Sequence, residues 1–370
     1  MASQLRIALI APLAESVPPQ GYGGTERVVS YLCEELVAQQ HQVTLFASAD
    51  SHTSAELVLG APQALRGQAS SAGVAMGWHM LMLEKLYQRA DEFDIIHSHV
   101  DYLPYSMMRR LRTPMLSTMH GRMDLPEYRP LYDEFRDMAL VSISYAQRRP
   151  LPAAPWVDTI YHGLPRGLYS AGEGGDYLAF VGRMSPEKRV DEAIEVAVRA
   201  GVPIKIAAKV DPSERAYFEA VIEPLLAHEL VEFIGEIGEG EKTKLLKGAR
   251  AFLFMVDWPE PFGLAMIEAM ACGTPVIARR CGSIPEVVDH GVTGFVCDNL
   301  TQAVEAVGAL DNLDRRIVRQ TFERRFSAAR MARDYVLAYR DQMLNHSRAG
   351  LGDIWDTRTT DPDRGRPRPI

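Results

Sequence analysis

Cysteine is scarce in these 370 residues, and its four copies, Cys33, Cys272, Cys281 and Cys297, have neither the paired short spacing of a zinc site nor the density of a secreted disulfide framework. They read as reduced, small apolar side chains. A long hydrophobic run is also missing, because nothing approaches the roughly 20 apolar residues that cross a bilayer. Leu5 to Ile10 is apolar but brief, and it runs into Ala11-Pro12 without the cleavage pattern of a signal peptide, so it is expected to be the first strand of a cytoplasmic protein. Positive charge is not in excess. With 48 acidic against 40 basic side chains and a net charge of −8, the chain has no electrostatic reason to seek nucleic acid. What is plentiful is apolar material, 47% of residues, and the length favours two folded domains over one.

The first half alternates short β-branched runs with longer amphipathic ones. Strands are expected at Leu5 to Ile10, Gln42 to Phe46, Asp94 to His97, Pro114 to Thr118, Leu140 to Ile143 and Trp156 to Tyr161, with helices between most of them. A polar, glycine-rich stretch, YSAGEGGD from Tyr169 to Asp176, interrupts this order as a linker would. The alternation then restarts with strands at Tyr177 to Gly182, Pro203 to Ala208, Val231 to Ile234, Ala251 to Val256, Pro275 to Ala278 and Gly294 to Cys297. Helices are expected to begin near Pro186, Pro212, Glu239, Phe262 and Ser283. The implied fold is α/β, with two Rossmann-like, doubly wound domains facing each other across a cleft. Residues 1–168 form the first and 169–326 the second. Amphipathic Ser327 to Leu344, in the segment 327–346, is expected to cross back onto the first domain, and the Arg-, Asp-, Pro- and Gly-rich tail 347–370 to be disordered.

The most informative segment is DWPEPFGLAMIEAMACGTP, Asp257 to Pro275. A strand ends at Val256, a proline-flanked turn follows, and a helix beginning around Phe262-Gly263 points its first amides toward the cleft. Those amides and the positive end of the helix dipole favour a diphosphate, and Gly263 lets it approach closely. Glu260 precedes the helix and Glu268 lies on its second turn, two acceptor-only carboxylates suited to two sets of hydroxyls. Taken alone they read equally well as a dipole-facing carboxylate and a solvated helix position. The second strand-to-helix loop, FVGRMSPEKRVD, offers Ser185 as a cap with Arg183 and Lys188 beside it, cations able to neutralise a diphosphate. In the first domain the loop Gly21-Tyr22-Gly23-Gly24-Thr25-Glu26-Arg27 leads into a helix from Val28 to Gln39, with Thr25 as its cap. It is not the G-x-G-x-x-G dinucleotide fingerprint. His120-Gly121 follows a parallel strand at the edge where ligands bind. Ser283 and Glu286 have capping-box spacing and are assigned a structural role. Arg109, Arg110 and Arg112 beside Met107 and Met108 would suit peripheral contact with the inner face of a membrane, although a solvated helix face is the commoner fate of such residues.

Together these segments resemble family four of the glycosyltransferases, the retaining GT-B group that includes glycogen synthase-like and mannosyltransferase-like enzymes. The likeness covers most of residues 4–345. Its most specific mark is EPFGLAMIE followed by ACGTPVIARRCGSIPEVVDHGVTGFV, supported by GGTERVV, DIIHSH, STMHG, YHGLP and FVGRMSPEKRVDEAI. The resemblance implies transfer of a hexose from a UDP-, GDP- or ADP-linked sugar to a saccharide or lipid-linked acceptor, without a metal cofactor. It implies that Glu268 holds the ribose, that Glu260 contacts the donor sugar, and that Gly263 and Leu264 give amides to the sugar or diphosphate, with Phe262 beside them. Arg183 and Lys188 would neutralise the leaving diphosphate, and His120 would sit beside the reacting carbon. Gly23 and Gly24 would approach the phosphates from the opposite domain, and the base would lie near Lys209 and Gly235. Retention is attributed in such enzymes to front-face attack.

A metal-dependent GT-A enzyme would need an aspartate pair after a strand, and the one Asp-x-Asp triplet, Asp361-Pro362-Asp363, falls in the expected disordered tail. Sugar phosphorylases and nucleotide-sugar epimerases share the architecture, and motif content favours the transferase over them; a non-catalytic nucleotide-sugar sensor that kept the pocket and lost transfer is a separate alternative. The oligomeric state is left open between monomer and homodimer.

Overall fold

The computed structural model describes residues 4–21, 23–66 and 72–356, with side chains up to 348. A seven-stranded, wholly parallel sheet comprises β1 (Arg6–Ile10), β2 (Gln42–Ser48), β3 (Glu56–Ala61), β4 (Ile95–Ser98), β5 (Met115–Thr118), β6 (Ala139–Ser142) and β7 (Trp156–Thr159), in the order β3-β2-β1-β4-β5-β6-β7. A six-stranded one comprises β8 (Leu178–Arg183), β9 (Ile204–Lys209), β10 (Val231–Gly235), β11 (Ala251–Phe254), β12 (Val276–Arg279) and β13 (Gly294–Cys297), in the order β10-β9-β8-β11-β12-β13. Both are doubly wound, and their winding reverses between β1 and β4 and between β8 and β11. At such reversals neighbouring loops diverge and leave a crevice at the carboxyl ends of the strands.

The first sheet is wrapped by α1 (Gly24–Ala38), α2 (Ala72–Gln88), and the short α3 (Tyr105–Met108), α4 (Tyr128–Glu134) and α5 (Tyr145–Arg148). The second carries α6 (Val190–Ala200), a mixed helical stretch around α7 (Arg215–Tyr217), α8 (Glu239–Gly248), α9 (Leu264–Ala271), α10 (Ile284–Val287), α11 (Leu300–Gly308) and α12 (Arg315–Arg325). Each sheet is apolar on both faces because helices cover both, so its central strands read as short unbroken hydrophobic runs. β3 departs from expectation. Its sequence ELVLGA is half exposed and carries a glycine, Gly60, next to its end, an edge strand without the fully apolar signature of its neighbours.

Helix α13 (Ala328–Asp356) packs on α1 and places Met331, Ala332, Tyr335 and Tyr339 in the core of the first domain. It runs past the expected end at 346, because no proline interrupts the chain before Pro362 and the backbone ladder simply continues. The rest of the tail expected to be disordered, with the Asp361-Pro362-Asp363 triplet, lies outside the described residues, as does Tyr22. Among the described residues no helix is long and apolar enough to cross a membrane. In the segment offered for membrane contact, Arg109 pairs with Glu134 and Asp137 and lies over Phe135, and Met108 is core, while Met107, Arg110 and Arg112 are exposed.

The two chain crossings between domains lie side by side. The Leu164 amide donates to the Phe326 carbonyl at 2.9 Å, and the Ala328 amide returns to the Leu164 carbonyl at 2.8 Å. Arg330 bonds the carbonyls of Tyr161 and His162. Phe326 fills the space between, fully buried against Tyr161 and Phe262. Phe326→Ala is therefore expected to cost about 3–5 kcal/mol through lost burial and the cavity left behind, read from urea denaturation, with Phe326→Leu costing less.

Candidate functional site

The chain enters α9 through Gly263, whose φ of 85° lies in the left-handed region. A β-carbon there would sit 2.6 Å from Met266 Cε and 3.2 Å from the Phe254 ring. Only glycine makes that turn without strain, and the turn aims the first amides of α9 into the crevice, where they have no partner within the helix. From the neighbouring switch-point loop, Lys188 closes the short turn Pro186–Lys188 and places its ammonium 2.7 Å from Glu260 Oε2. Trp258 Nε1 donates to the same oxygen at 2.9 Å. The ammonium also faces the rings of Trp258 and Phe254, at 5.2 and 5.7 Å. Arg183 pairs with Glu187 at 3.0 Å, and Glu187 feels both cations. Arg183, Lys188, Glu260 and Gly263 thus converge. Ser185 occupies the cap position of its turn but makes no capping bond.

The first domain meets this point from above. A β-carbon on Gly24 would lie 3.6 Å from Leu264 Cδ1, so the glycine loop and the start of α9 are in contact across the crevice. The cap of α1 is Gly23, at φ 149°, with Pro19 occupying the space a side chain would need. Thr25 therefore lies inside the helix and does not cap it. The helix begins at Gly24, four residues before Val28, because the glycines can adopt the entry turn that the sequence pattern alone does not reveal.

Deeper along α9, Glu268 is only 5% exposed. It is held by Lys242 at 2.9 Å, and Lys242 also bonds Glu239 at 3.1 Å. Glu239 accepts from Tyr169 and, from the other domain, pairs with Arg27 at 3.2 Å. The solvated-helix reading of Glu268 is excluded, since a buried carboxylate requires such partners. Local sequence does not single out Lys242, Glu239 and Tyr169 as site residues. They lie in stretches of ordinary surface composition, so burial alone singles them out.

His120 belongs to a row of imidazoles. His99 Nδ1 and His120 Nε2 share a hydrogen bond at 2.8 Å, and His162 stacks on His120 at 5.3 Å with planes 17° apart. His97 lies 4.0 Å from His99 and is bonded to Tyr339 of α13 and to Thr118, which in turn bonds Tyr335. Loss of hydration pushes His120 down to about 3 and holds His97, His99 and His162 well below the ordinary imidazole range. The row is neutral near pH 7. His99 and His162 stand in HSH and YHGLP, motifs visible in the sequence, but their contacts depend on bringing β4, β5 and the interdomain segment together.

The remaining expected residues divide. Lys209 ends β9, paired with Asp211 at 3.3 Å, and Gly235 forms a bulge at φ 75° beside it, so these two flank one rim of the crevice. The Phe262 ring is 2% exposed and packs on His162, Tyr161 and Phe326, which leaves only its backbone for a ligand. The capping box of Ser283 and Glu286 does not form. Ser283 donates to the Phe262 carbonyl, while the Glu286 carboxylate accepts from the Tyr145 and Ala146 amides at 2.8 and 2.7 Å and from Tyr161. Across the same seam Ser144 donates to the Pro261 carbonyl at 2.6 Å. Glu286 is structural as expected, but it caps a helix of the other domain, a choice that spacing along one chain does not encode. All four cysteines are free.

Residues 169–316 match the model of Glycosyl transferases group 1, and residues 22–158 match that of Glycosyltransferase Family 4. The chain is 28% identical to N-acetyl-alpha-D-glucosaminyl L-malate synthase of Bacillus anthracis over 47% of each chain, so it spans about half the length of that relative. It is also similar to the crystal structure of AviGT4, a glycosyltransferase involved in avilamycin A biosynthesis, with TM-score 0.67 and 25% identity over 92% of this chain and 98% of that one. Anabaena Alr3699/HepE in complex with UDP and glucose shares the fold at TM-score 0.69 and 18% identity, over 91% of this chain and 100% of that one.

The imidazole row has a consequence for stability. Between about pH 3 and the free-imidazole value near 6.5, the unfolded chain binds protons that the folded one refuses. Stability is therefore full above that upper value and lost as pH falls through it, by up to about 1.4 kcal/mol per pH unit for each buried imidazole. Urea midpoints should drop between about pH 7 and pH 5, and His162→Phe should flatten the slope. A flat profile in the parent protein would contradict the neutral row.

Proposed function

The chain belongs to the GT-B glycosyltransferases of group 1 and family 4, and we propose that it is a retaining hexosyltransferase that moves a hexose from a nucleotide-diphosphate sugar to a saccharide or lipid-linked acceptor. The observation that carries this reading is the Lys188–Glu260 pair at the start of α9. The two opposite charges, mostly covered, neutralise each other. A diphosphate arriving at the helix start takes over the ammonium, and Glu260 is released to accept from sugar hydroxyls. Arg183 and the first amides of α9 add to the positive field, which strengthens as charge accumulates on the departing diphosphate. With so much fixed positive charge the reading requires no divalent metal.

Glu268 takes the ribose hydroxyls in place of Lys242, and the base rests near Lys209 and Gly235. His120, kept neutral, stands beside the reacting carbon, where a cation would oppose the positive charge that develops there. In the transfer itself the bond from the anomeric carbon to the diphosphate oxygen breaks. The acceptor oxygen bonds the same face, and its proton passes to the departing diphosphate. Closure over Gly24 and Leu264 excludes water, which would otherwise compete as acceptor.

Thermal-shift titration with UDP-, GDP- and ADP-sugars in EDTA is expected to identify one stabilising donor. Glu268→Ala and Lys188→Ala should abolish most of that shift, and Lys188→Ala should lower kcat by about 10²–10³-fold. Full shifts in both variants would remove the site map. Proton NMR of the first product formed should show the donor's anomeric configuration, and inversion would exclude front-face transfer.

A further inference from the structure

β4 and β5 are neighbours, paired from Ile96↔Met115 to Ser98↔Ser117, so the loops that leave their carboxyl ends emerge together beside His120. The first continues as His99-Val100-Asp101-Tyr102, and the second runs from Met119 to α4, which begins at Tyr128. Four tyrosines meet there. Tyr105 and Tyr132 are buried, and Tyr132 donates to Met119 Sδ at 3.0 Å, tying the cluster to the residue before His120. On them lean Tyr128, 6.1 Å from Tyr132, and Tyr102, 6.2 Å from Tyr128 in an edge arrangement. Tyr102 is 39% exposed. The inner rings hold the outer ones in place, so the accessible aromatic surface is rigid before anything binds.

Asp101 stands at the edge of this surface. It is exposed, its φ of 49° is left-handed, and among the described residues no group donates a hydrogen bond to its carboxylate. A non-glycine residue in that conformation is uncommon, though aspartate and asparagine tolerate it best. Every other carboxylate described above in the crevice, Glu260, Glu268 and Glu239, is already paired with a cation.

We propose that Tyr102, Tyr128 and Asp101 form a subsite for a pyranose ring of the acceptor, the exposed Tyr102 ring lying against its C–H face, Tyr128 set at an angle beside it, and the carboxylate accepting from its hydroxyls. A hexopyranose presents an apolar face bordered by donors, which matches an aromatic surface bordered by an acceptor-only group. The subsite rests on the transferase reading and narrows it: the acceptor is recognised as a saccharide, whatever its anchor. A quaternary ammonium would want rings enclosing it on several sides. Two accessible rings set edge to face at 64° offer no such enclosure.

Saturation-transfer NMR with methyl α-glucopyranoside, methyl α-mannopyranoside and methyl α-galactopyranoside tests the subsite directly, with choline chloride as the cationic control. At least one glycoside should receive saturation at its ring protons in the parent protein. Tyr102→Ala and Asp101→Asn should weaken that signal by about tenfold, while Tyr102→Phe keeps it. Asparagine keeps the left-handed backbone accessible, so loss in Asp101→Asn reads the carboxylate and not misfolding. An undiminished signal in Tyr102→Ala, silence from all three glycosides in the parent, or binding of choline in their place would overturn the proposal. Nucleotide-sugar thermal shifts on the same samples separate the two halves of the site. Variants that lose the glycoside and keep the nucleotide shift support the subsite, and a parent that binds glycosides with no nucleotide shift defeats the donor reading while leaving the subsite in place.

Discussion

A lysine ammonium and a glutamate carboxylate 2.7 Å apart, at the mouth of a helix whose own amides point the same way, set the terms for the rest of this molecule. Neither charge could stand alone in a crevice where both side chains are mostly covered. The pairing keeps the cleft stable without ligand, and it also keeps both groups aimed at the place where an anion and a ring of hydroxyls would lie. The second pair, Lys242 with Glu268, repeats the arrangement further along the same helix. On the proposed reading, binding is an exchange of partners, and selectivity follows from which ligand satisfies both halves of both pairs.

That arrangement lies between two domains that the fold ties together. Three devices secure it. The crossings at Leu164 and Phe326 are laced by backbone hydrogen bonds. Glu286 and the Pro261 carbonyl receive bonds from the start of α5 in the other domain. Helix α13 carries Tyr335 and Tyr339 back into the first core, where they hold the far end of the imidazole row. The end of the chain thus supports His120 through Thr118, His97 and His99, without touching the crevice itself.

Much of the architecture was readable from sequence because parallel strands buried on both faces leave unbroken apolar runs. The edge strand β3 escaped because half-exposed strands do not. The residues that converge at the start of α9 were legible where local backbone demands the residue type: Gly263 must be glycine for its turn, Glu260 stands three residues before it, and Lys188 closes the equivalent loop after β8. Glu239, Lys242 and Tyr169 act only through contacts between distant segments, and nothing in their own neighbourhoods marks them. The Ser283–Glu286 pair shows the opposite error, a local rule that distant partners displaced, while Thr25 lost the cap to Gly23, two residues earlier in the same loop.

Sequence by itself determined the two doubly wound sheets, the helix starts that face the crevice, and the types of group available there. Those follow from periodicity and from backbone conformations that few residues can adopt, which are local properties. Tertiary structure alone decided the partners: that Glu260 answers Lys188, that Glu268 is buried beneath Lys242, that Glu286 caps the other domain, and that four histidines form one neutral row. Charge pairing and desolvation depend on distances between segments far apart in the chain, and only the folded chain sets those distances.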